Sequence, residues 1–465
     1  MSRQELVRTV VYAGTIVAAV LLVACGGGSG GSSPQKPTLQ SIVISPGNTQ
    51  LFLGANQQFT ATGKLSDGST QDLTQTVKWS SSDSTVMLLN NSGGRVGIGN
   101  TRGPGTATVS ASNGALSGTT AVTVMRRTPG FLYGANDGTQ NISGFTINPG
   151  SGILTSVSGS PFSTPTGDTS IAASRDFKFL YAADFGLNQI SAFSVNTNGS
   201  LAPLFGTPFP AGNGPVSVVT HPTADFLYVS NEGSGDVMVF VLDPELTGSS
   251  SVMLGNSPLF SAMTPDGAYF YQTVSSTAQI AGFSVNASNG SLTQVSGSPF
   301  STGFFPRTIA IDPAGKFLYA TISSSFMGTS TAVYGYTIDA TSGVLTSIPG
   351  SPFTAGENPV SASVDVSGRF LFVANNANTA NGNSVSAFTI DPGTGALTAV
   401  PGSPFAASPF PLFVAADPSG QYVYVGLDSN PGIVGFVIDQ NTGTLTPMSG
   451  SRFAGSSVWS IAMTY

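Results

Sequence analysis

An all-β chain in two folded parts is predicted by three observations. Charged residues make up only 8% of the 465 positions, with glycine at 58 and proline at 30, against about 25% charged in an ordinary soluble domain. Short alternating apolar/polar runs bounded by turn residues fill the chain from Thr38 onward. From Phe131 one unit recurs: FLYxAN, then ISxFxID, then TGxLTxVxGSPF, then PxxxxxDPxG. Helices built on Glu–Lys pairs have no place in such a composition. A repeat of about 40–50 residues holding four strands is the signature of a propeller blade.

The first strand of the repeat starts at Phe131, Phe179, Phe226, Tyr269, Phe317, Phe370 and Tyr422. Seven starts predict seven blades over 127–465. Asp-Pro-Ala-Gly (312–315) and Asp-Pro-Ser-Gly (417–420) are tight turns joining strand 1 to strand 2, and Asp391 to Gly395 turns strand 3 into strand 4. The segment from Val458 to Met463 matches the strand that elsewhere precedes FLY, and the first unit lacks that strand. The C-terminal strand is therefore expected to complete blade 1 and close the ring, removing two open edges.

The segment before the propeller, 38–126, shows shorter alternating strands: Leu39–Ile44, Gln58–Gly63, Val77–Ser80 and Thr106–Ser112. That spacing predicts a β-sandwich with Trp79 in its core. Ahead of it, Arg3 and Arg8 precede an apolar run from Thr9 to Ala24, shorter than the roughly 20 residues that cross a bilayer. Leu22-Val23-Ala24-Cys25 resembles a lipobox, which makes 1–24 a signal peptide and Cys25, the single cysteine, an acylated N-terminus. Residues 25–37 then form a flexible tether. The expectation is an exported lipoprotein, held in the cell envelope at the outer membrane through Cys25 and monomeric. With 15 basic and 22 acidic residues, and no basic run after the first ten positions, nucleic acid is excluded as a partner.

Strand order puts the repetitive hairpins on one face of the propeller. The strand 2–3 loops and blade connections collect on the other, where the repeat varies. Candidate functional residues follow from that sorting. Glu232, after Asn231 at the end of a second strand, is placed to take a proton from water or to bind hydroxyls. Arg307 opens an inner strand at the same face, suited to hold a carboxylate or an oxyanion. Asp137, Asp184 and Asp428 form a sparse acidic ring beside them, without the spacing of a metal site. Phe304 and Phe305, with Phe185, Phe326 and Phe410, fall in loops of that face and are suited to stack on a sugar or anchor a protein. His221, the single histidine, stands where other blades have Asp312, Asp365 and Asp417 and reads as a turn residue, a strand's length from Glu232. No motif for a cofactor or metal is present, and none is expected.

Two resemblances follow from these motifs. SIVISP, QQFTATGKLSDGS, VKWSSSD and GTATVSAS resemble the group 2 bacterial Ig-like domain, implying a spacer or adhesive module. The repeat from Phe131 to Tyr465 resembles the lactonase family of seven-bladed propellers, which includes 6-phosphogluconolactonase and carboxymuconate cyclase. Its nearest local match runs from His221 to Glu232, and the resemblance implies a catalytic role for that glutamate. Family members carry an Arg-His pair on the strand feeding that blade, where Val216 and Ser217 stand here. Pro306-Arg307 is followed by Thr308 where a histidine is expected. Two functions are thus expected: a surface module binding a glycan, small molecule or protein, or a lactone hydrolase with Glu232 as general base and Arg307 as charge stabiliser.

Overall fold

The computed structural model describes residues 35–165, 167–242, 246–255, 257–323, 330–377, 379, 382–428, 432–453 and 457–465. The signal segment, the lipobox and Cys25 lie outside these residues, as do Phe326 and most of the loop around it.

The described residues form strands, with three short 3₁₀ turns among them. Between Leu39 and Met125 the strands form sheets packed around one core, in which Phe59, Met87, Val109, Ala111 and Val122 are fully buried. Trp79 sits inside that core, 2% exposed, and its indole N–H donates to the Thr74 carbonyl at 3.0 Å. A buried indole needs such a partner.

From Phe131 onward seven antiparallel sheets follow in order. Their second strands are Phe131–Asn136, Phe179–Asp184, Phe226–Asn231, Tyr269–Val274, Phe317–Ile322, Phe370–Asn376 and Tyr422–Leu427. Each begins where the FLY motif places it. The inner strands of blades 2 to 7 are Asp168–Ala173, Pro215–Thr220, Pro258–Met263, Pro306–Ile311, Pro359–Val364 and Pro411–Ala416. Blade 1 takes its inner strand from Val458–Met463, which pairs antiparallel with Phe131–Asn136 in the register Leu132↔Met463 to Asn136↔Val458. The C-terminal strand closes the ring. Neighbouring inner strands contact each other all the way round.

Adjacent blades are stapled by side chains the motif repeats. The FLY tyrosine donates its buried hydroxyl to a glycine carbonyl in the next blade's outer hairpin: Tyr133 to Gly199, Tyr228 to Gly290, Tyr271 to Gly343, Tyr319 to Gly395 and Tyr424 to Gly152, at 2.6–2.9 Å. Burial raises each of these phenols well above the ordinary tyrosine value. Nearer the axis, hydroxyls of one inner strand accept backbone N–H groups of the next, as Val218 to Ser170, Ser261 to Ser217 and Val414 to Ser361. The shared narrow channel is lined by these serines together with Thr308 and Ser460, with Phe413 in the seventh blade's place. Blade 6 has Phe372 where the others have tyrosine, so its second strand lacks the hydroxyl.

The hairpins between strands 1 and 2 make the face opposite the loops. Asp312 caps its turn by accepting the backbone N–H groups of Ala314, Lys316 and Phe317. Asp365 and Asp417 do the same in blades 6 and 7. His221 takes this role in blade 3. It is 2% exposed, its Nδ1 accepts the N–H groups of Thr223 and Ala224, and its Nε2 meets the Gly267 carbonyl of blade 4 at 3.2 Å. Burial lowers its pKa from the ordinary 6.5.

A pH dependence follows. The folded chain holds His221 neutral, so stability from this site is complete above pH about 6.5 and drains away as the pH falls, because the unfolded chain takes up the proton first. The buried carboxyls of Asp312 and Asp417 are shifted upward and act with the opposite sign, adding stability as the pH falls toward the ordinary carboxylate value. The melting temperature of the wild type should therefore slope downward between pH 6.5 and 5.5. His221→Asp, which installs the capping residue of blades 5 to 7, should flatten that slope. Equal slopes in both proteins would remove His221 as its cause.

The sandwich rests against this hairpin face. Arg95 donates to the Ala314 and Gly315 carbonyls, both at 2.6 Å, and Arg126 to the Ser419 carbonyl at 2.6 Å. Asn56 reaches the Pro313 carbonyl, and Gly54 lies so close to Val366 that a Cβ would overlap it. The loop face is left on the far side.

Candidate functional site

Every inner strand carries one extra residue against its second strand as it leaves the loop face. The register shifts lie at Asp168/Ser170, Pro215/Ser217, Pro258/Ser261, Pro306/Ile309, Pro359/Ser361 and Pro411/Phe413, and between Ala135 and Asn136 on the partner of the C-terminal strand. A bulge of this kind re-aims a side chain at the rim of a closed sheet. Here it turns Thr169, Val216, Leu259 and Phe260, Arg307 and Trp459 into one hollow.

That hollow is a cavity of about 420 Å³ at the loop face, within the range of small-molecule sites. The bulge residues form its floor and sides. Ser275, Ser276, Ser323 and Glu232, which follow the second strands of blades 4, 5 and 3, complete the wall with Phe305 and Pro306 from the blade 4–5 connection. Phe260 also lines the central channel, so the two spaces adjoin.

Glu232 is held by its backbone. Its N–H donates to the Gly214 carbonyl at 2.8 Å, and the following turn is tied by the Gly235 N–H on the Asn231 carbonyl and by Asn231 Nδ2 on Asp236 at 3.1 Å. Its half-buried carboxylate has no hydrogen-bond or ion-pair partner among the described residues. Arg307 is anchored likewise, its carbonyl accepting the Thr273 hydroxyl at 3.0 Å. Its guanidinium has no partner among the described residues either, and burial pulls its pKa down. A half-buried cation without a counter-ion among the described residues costs free energy.

Of the residues singled out in the sequence, the cavity unites Glu232, Arg307 and Phe305. Phe304 is 64% exposed on the rim and does not line it. The acidic ring does not converge there. Asp184 ends its strand fully buried, its Oδ2 accepting the Ser191 hydroxyl at 2.8 Å and its Oδ1 without a partner, so it is withdrawn from the surface. Asp428 accepts the Ser457 hydroxyl at 2.5 Å, and Ser457 in turn accepts the Trp459 indole N–H at 3.0 Å. Asp428 thus orients a cavity ring without lining the cavity. Asp137 is exposed nearby, its carboxyl shifted upward by burial of its head group and by the charge of Asp428. Among the described residues no group of His, Cys, Asp and Glu is arranged to hold a metal.

Sequence reasoning passed over Phe260 and Trp459, because both sit in strands that read as plain architecture. Pro-x-Ser/Thr opens three inner strands, at 215–217, 306–308 and 359–361, but the strands that carry Phe260 and Trp459 open on Pro-Leu-Phe and Val-Trp-Ser, so no shared motif marked those two rings.

The comparisons with known proteins bear on this architecture. The model described as "Lactonase, 7-bladed beta-propeller" matches residues 169–360 and 348–461. Among solved structures, a proposed 6-phosphogluconolactonase from Bacteroides uniformis superposes with a TM-score of 0.62 at 19% identity, over 73% of this chain and 100% of that one. The periplasmic gluconolactonase of Pseudomonas aeruginosa does so with a TM-score of 0.60 at 16% identity, over 72% and 99%. At such identities the likeness is one of fold. A curated relative, Ice-binding protein 1 of Shewanella frigidimarina, is 48% identical over 87 residues, which are 19% of this chain and 9% of that protein. The chain therefore spans under a tenth of the length of that relative. With a closed ring of seven four-stranded blades and the family model matched along most of it, the chain belongs to the lactonase family of seven-bladed β-propellers.

Proposed function

We propose that the protein is a lipid-anchored envelope protein that binds a small, hydroxyl-bearing molecule in the cavity at the loop face. The observation that carries this reading is the pair Glu232 and Arg307, which line one cavity and have no partners among the described residues. A carboxylate accepts from hydroxyls, a guanidinium holds a carboxylate or carbonyl, and Phe260, Phe305 and Trp459 offer the ring faces on which a saccharide stacks. The Ig-like sandwich serves as the spacer. Docked on the hairpin face, it keeps the mouth of the cavity clear of the tether.

Arg307→Gln tests the site. Gluconate, followed by titration calorimetry, should lose about tenfold or more in affinity, the worth of a hydrogen bond to a charged group. The melting temperature should hold, because the half-buried guanidinium has no partner among the described residues to lose. A fall in both together would make Arg307 a structural residue and the reading would fail. The anchor is tested separately. Cys25→Ser should move the protein from the membrane fraction to the soluble one, and continued sedimentation with membranes would refute lipidation at that cysteine.

A second reading, hydrolysis of a sugar lactone, is favoured by the same juxtaposition. Glu232 would activate water and Arg307 would stabilise the carbonyl oxygen as it gains charge. Val216 and Ser217 stand where family members carry an arginine and a histidine, and Arg307 is followed by Thr308, its hydroxyl 3.0 Å from that of Thr321. This chain would have to work without that histidine.

A further inference from the structure

We infer that the ligand is a zwitterion, an amino-sugar acid whose ammonium meets Glu232 and whose carboxylate meets Arg307. This inference rests on the binding reading above and goes beyond it by naming the ligand's charge pattern.

Among the described residues the cavity holds two formal charges of opposite sign and no other ionisable side chain; the rest of its described lining is Thr, Ser, Val, Leu, Pro and aromatic. The two charges do not neutralise each other. They form no ion pair, and the ion pairs found among the described residues, Arg175–Asp225 and Lys178–Asp176, lie elsewhere. The reason is architectural. Glu232 stands on the loop after the second strand of blade 3, while Arg307 opens the inner strand of blade 5. Blade 4 lies between them and sets Leu259 and Phe260 into the gap. Backbone hydrogen bonds hold the two main-chain positions apart, Glu232 through Gly214 and Arg307 through Thr273, and the side chains that extend from them form no ion pair.

Charge complementarity then ranks the candidates. A neutral sugar can hydrogen-bond both groups but gives neither a counter-charge. A simple anion satisfies Arg307 and brings like charge toward Glu232, and a simple cation does the reverse. Only a molecule with a positive and a negative end, spaced by a carbon skeleton, satisfies both at once. Low-dielectric walls amplify each of these differences. The rings of Phe260, Phe305 and Trp459 add a surface on which an ammonium is welcome and a sugar ring can lie.

Four probes on one carbon skeleton test the inference: 6-amino-6-deoxygluconate, gluconate, 6-amino-6-deoxyglucose and glucose. Calorimetry at low salt on the folded protein should place the zwitterion at least tenfold tighter than any of the others. In Glu232→Gln the advantage over gluconate should shrink toward one. In Arg307→Gln the advantage over 6-amino-6-deoxyglucose should shrink in the same way. Gluconate binding as tightly as the zwitterion would overturn the inference and leave a plain anion site, with the binding reading standing. Failure of all four probes to bind would overturn the binding reading itself, and this inference with it.

Discussion

A chain ending at Ser457 should lose its propeller. Val458–Met463 is the inner strand of blade 1, and its removal strips five paired positions from Phe131–Asn136. It also removes the wall against which the inner strands of blades 2 and 7 pack. Val458 is fully buried, and Ile461 and Ala462 are nearly so. Burying one Val or Ile side chain is worth about 1.5–3 kcal/mol. Those residues, their ladder and the exposed flanks of two neighbouring blades together rival the 5–15 kcal/mol by which a typical protein is stable. The loss is not local. Gly134 and Gly426, from blades 1 and 7, both lie against Val458, so one residue seals the joint between them. Melting followed by far-UV circular dichroism should show the propeller transition gone at 25 °C, with the sandwich's own transition left. A truncated chain that melts like the parent would show that the ring does not depend on this closure.

The architecture was legible because it repeats. The FLY motif marks the start of every second strand, and the strand type missing before Phe131 and left over at Val458 foretold the closure. His221 was legible for the same reason, by its alignment with three capping aspartates. The site was less so. Glu232, Arg307 and Phe305 could be sorted to the loop face by strand order, and they share the cavity. Asp184 could not be sorted in that way. It stands at the last position of a strand, where a shift of one residue separates solvent from core, and its side chain turns inward to Ser191. Phe260 and Trp459 escaped because a bulge is a mismatch between two strands' lengths, which no single strand records. The tyrosine hydroxyls of the FLY motif read as apolar packing, and their bond to the next blade's glycine emerges only when the blades are set side by side.

The largest effect on chemistry is expected at Glu232. If the cavity hydrolyses lactones, Glu232→Gln should reduce kcat on a sugar lactone by about 10²–10⁴-fold, the usual worth of a positioned general base. KM should change little. The amide keeps the shape and the hydrogen-bonding reach of the carboxylate but cannot take a proton from water, so the loss falls on the transition state and spares the ground state. Arg307→Gln should lower kcat as well, by removing the charge that meets the developing oxyanion. A panel of five- and six-membered sugar lactones, followed by proton release, reads both variants against the wild type. Equal turnover in wild type and Glu232→Gln would remove the glutamate from any mechanism. A wild type that binds the open-chain acid yet releases no protons from any lactone would assign the cavity to binding alone, in keeping with Val216 and Ser217 on the strand that feeds the Glu232 blade and Thr308 after Arg307, neither of which offers the base a histidine.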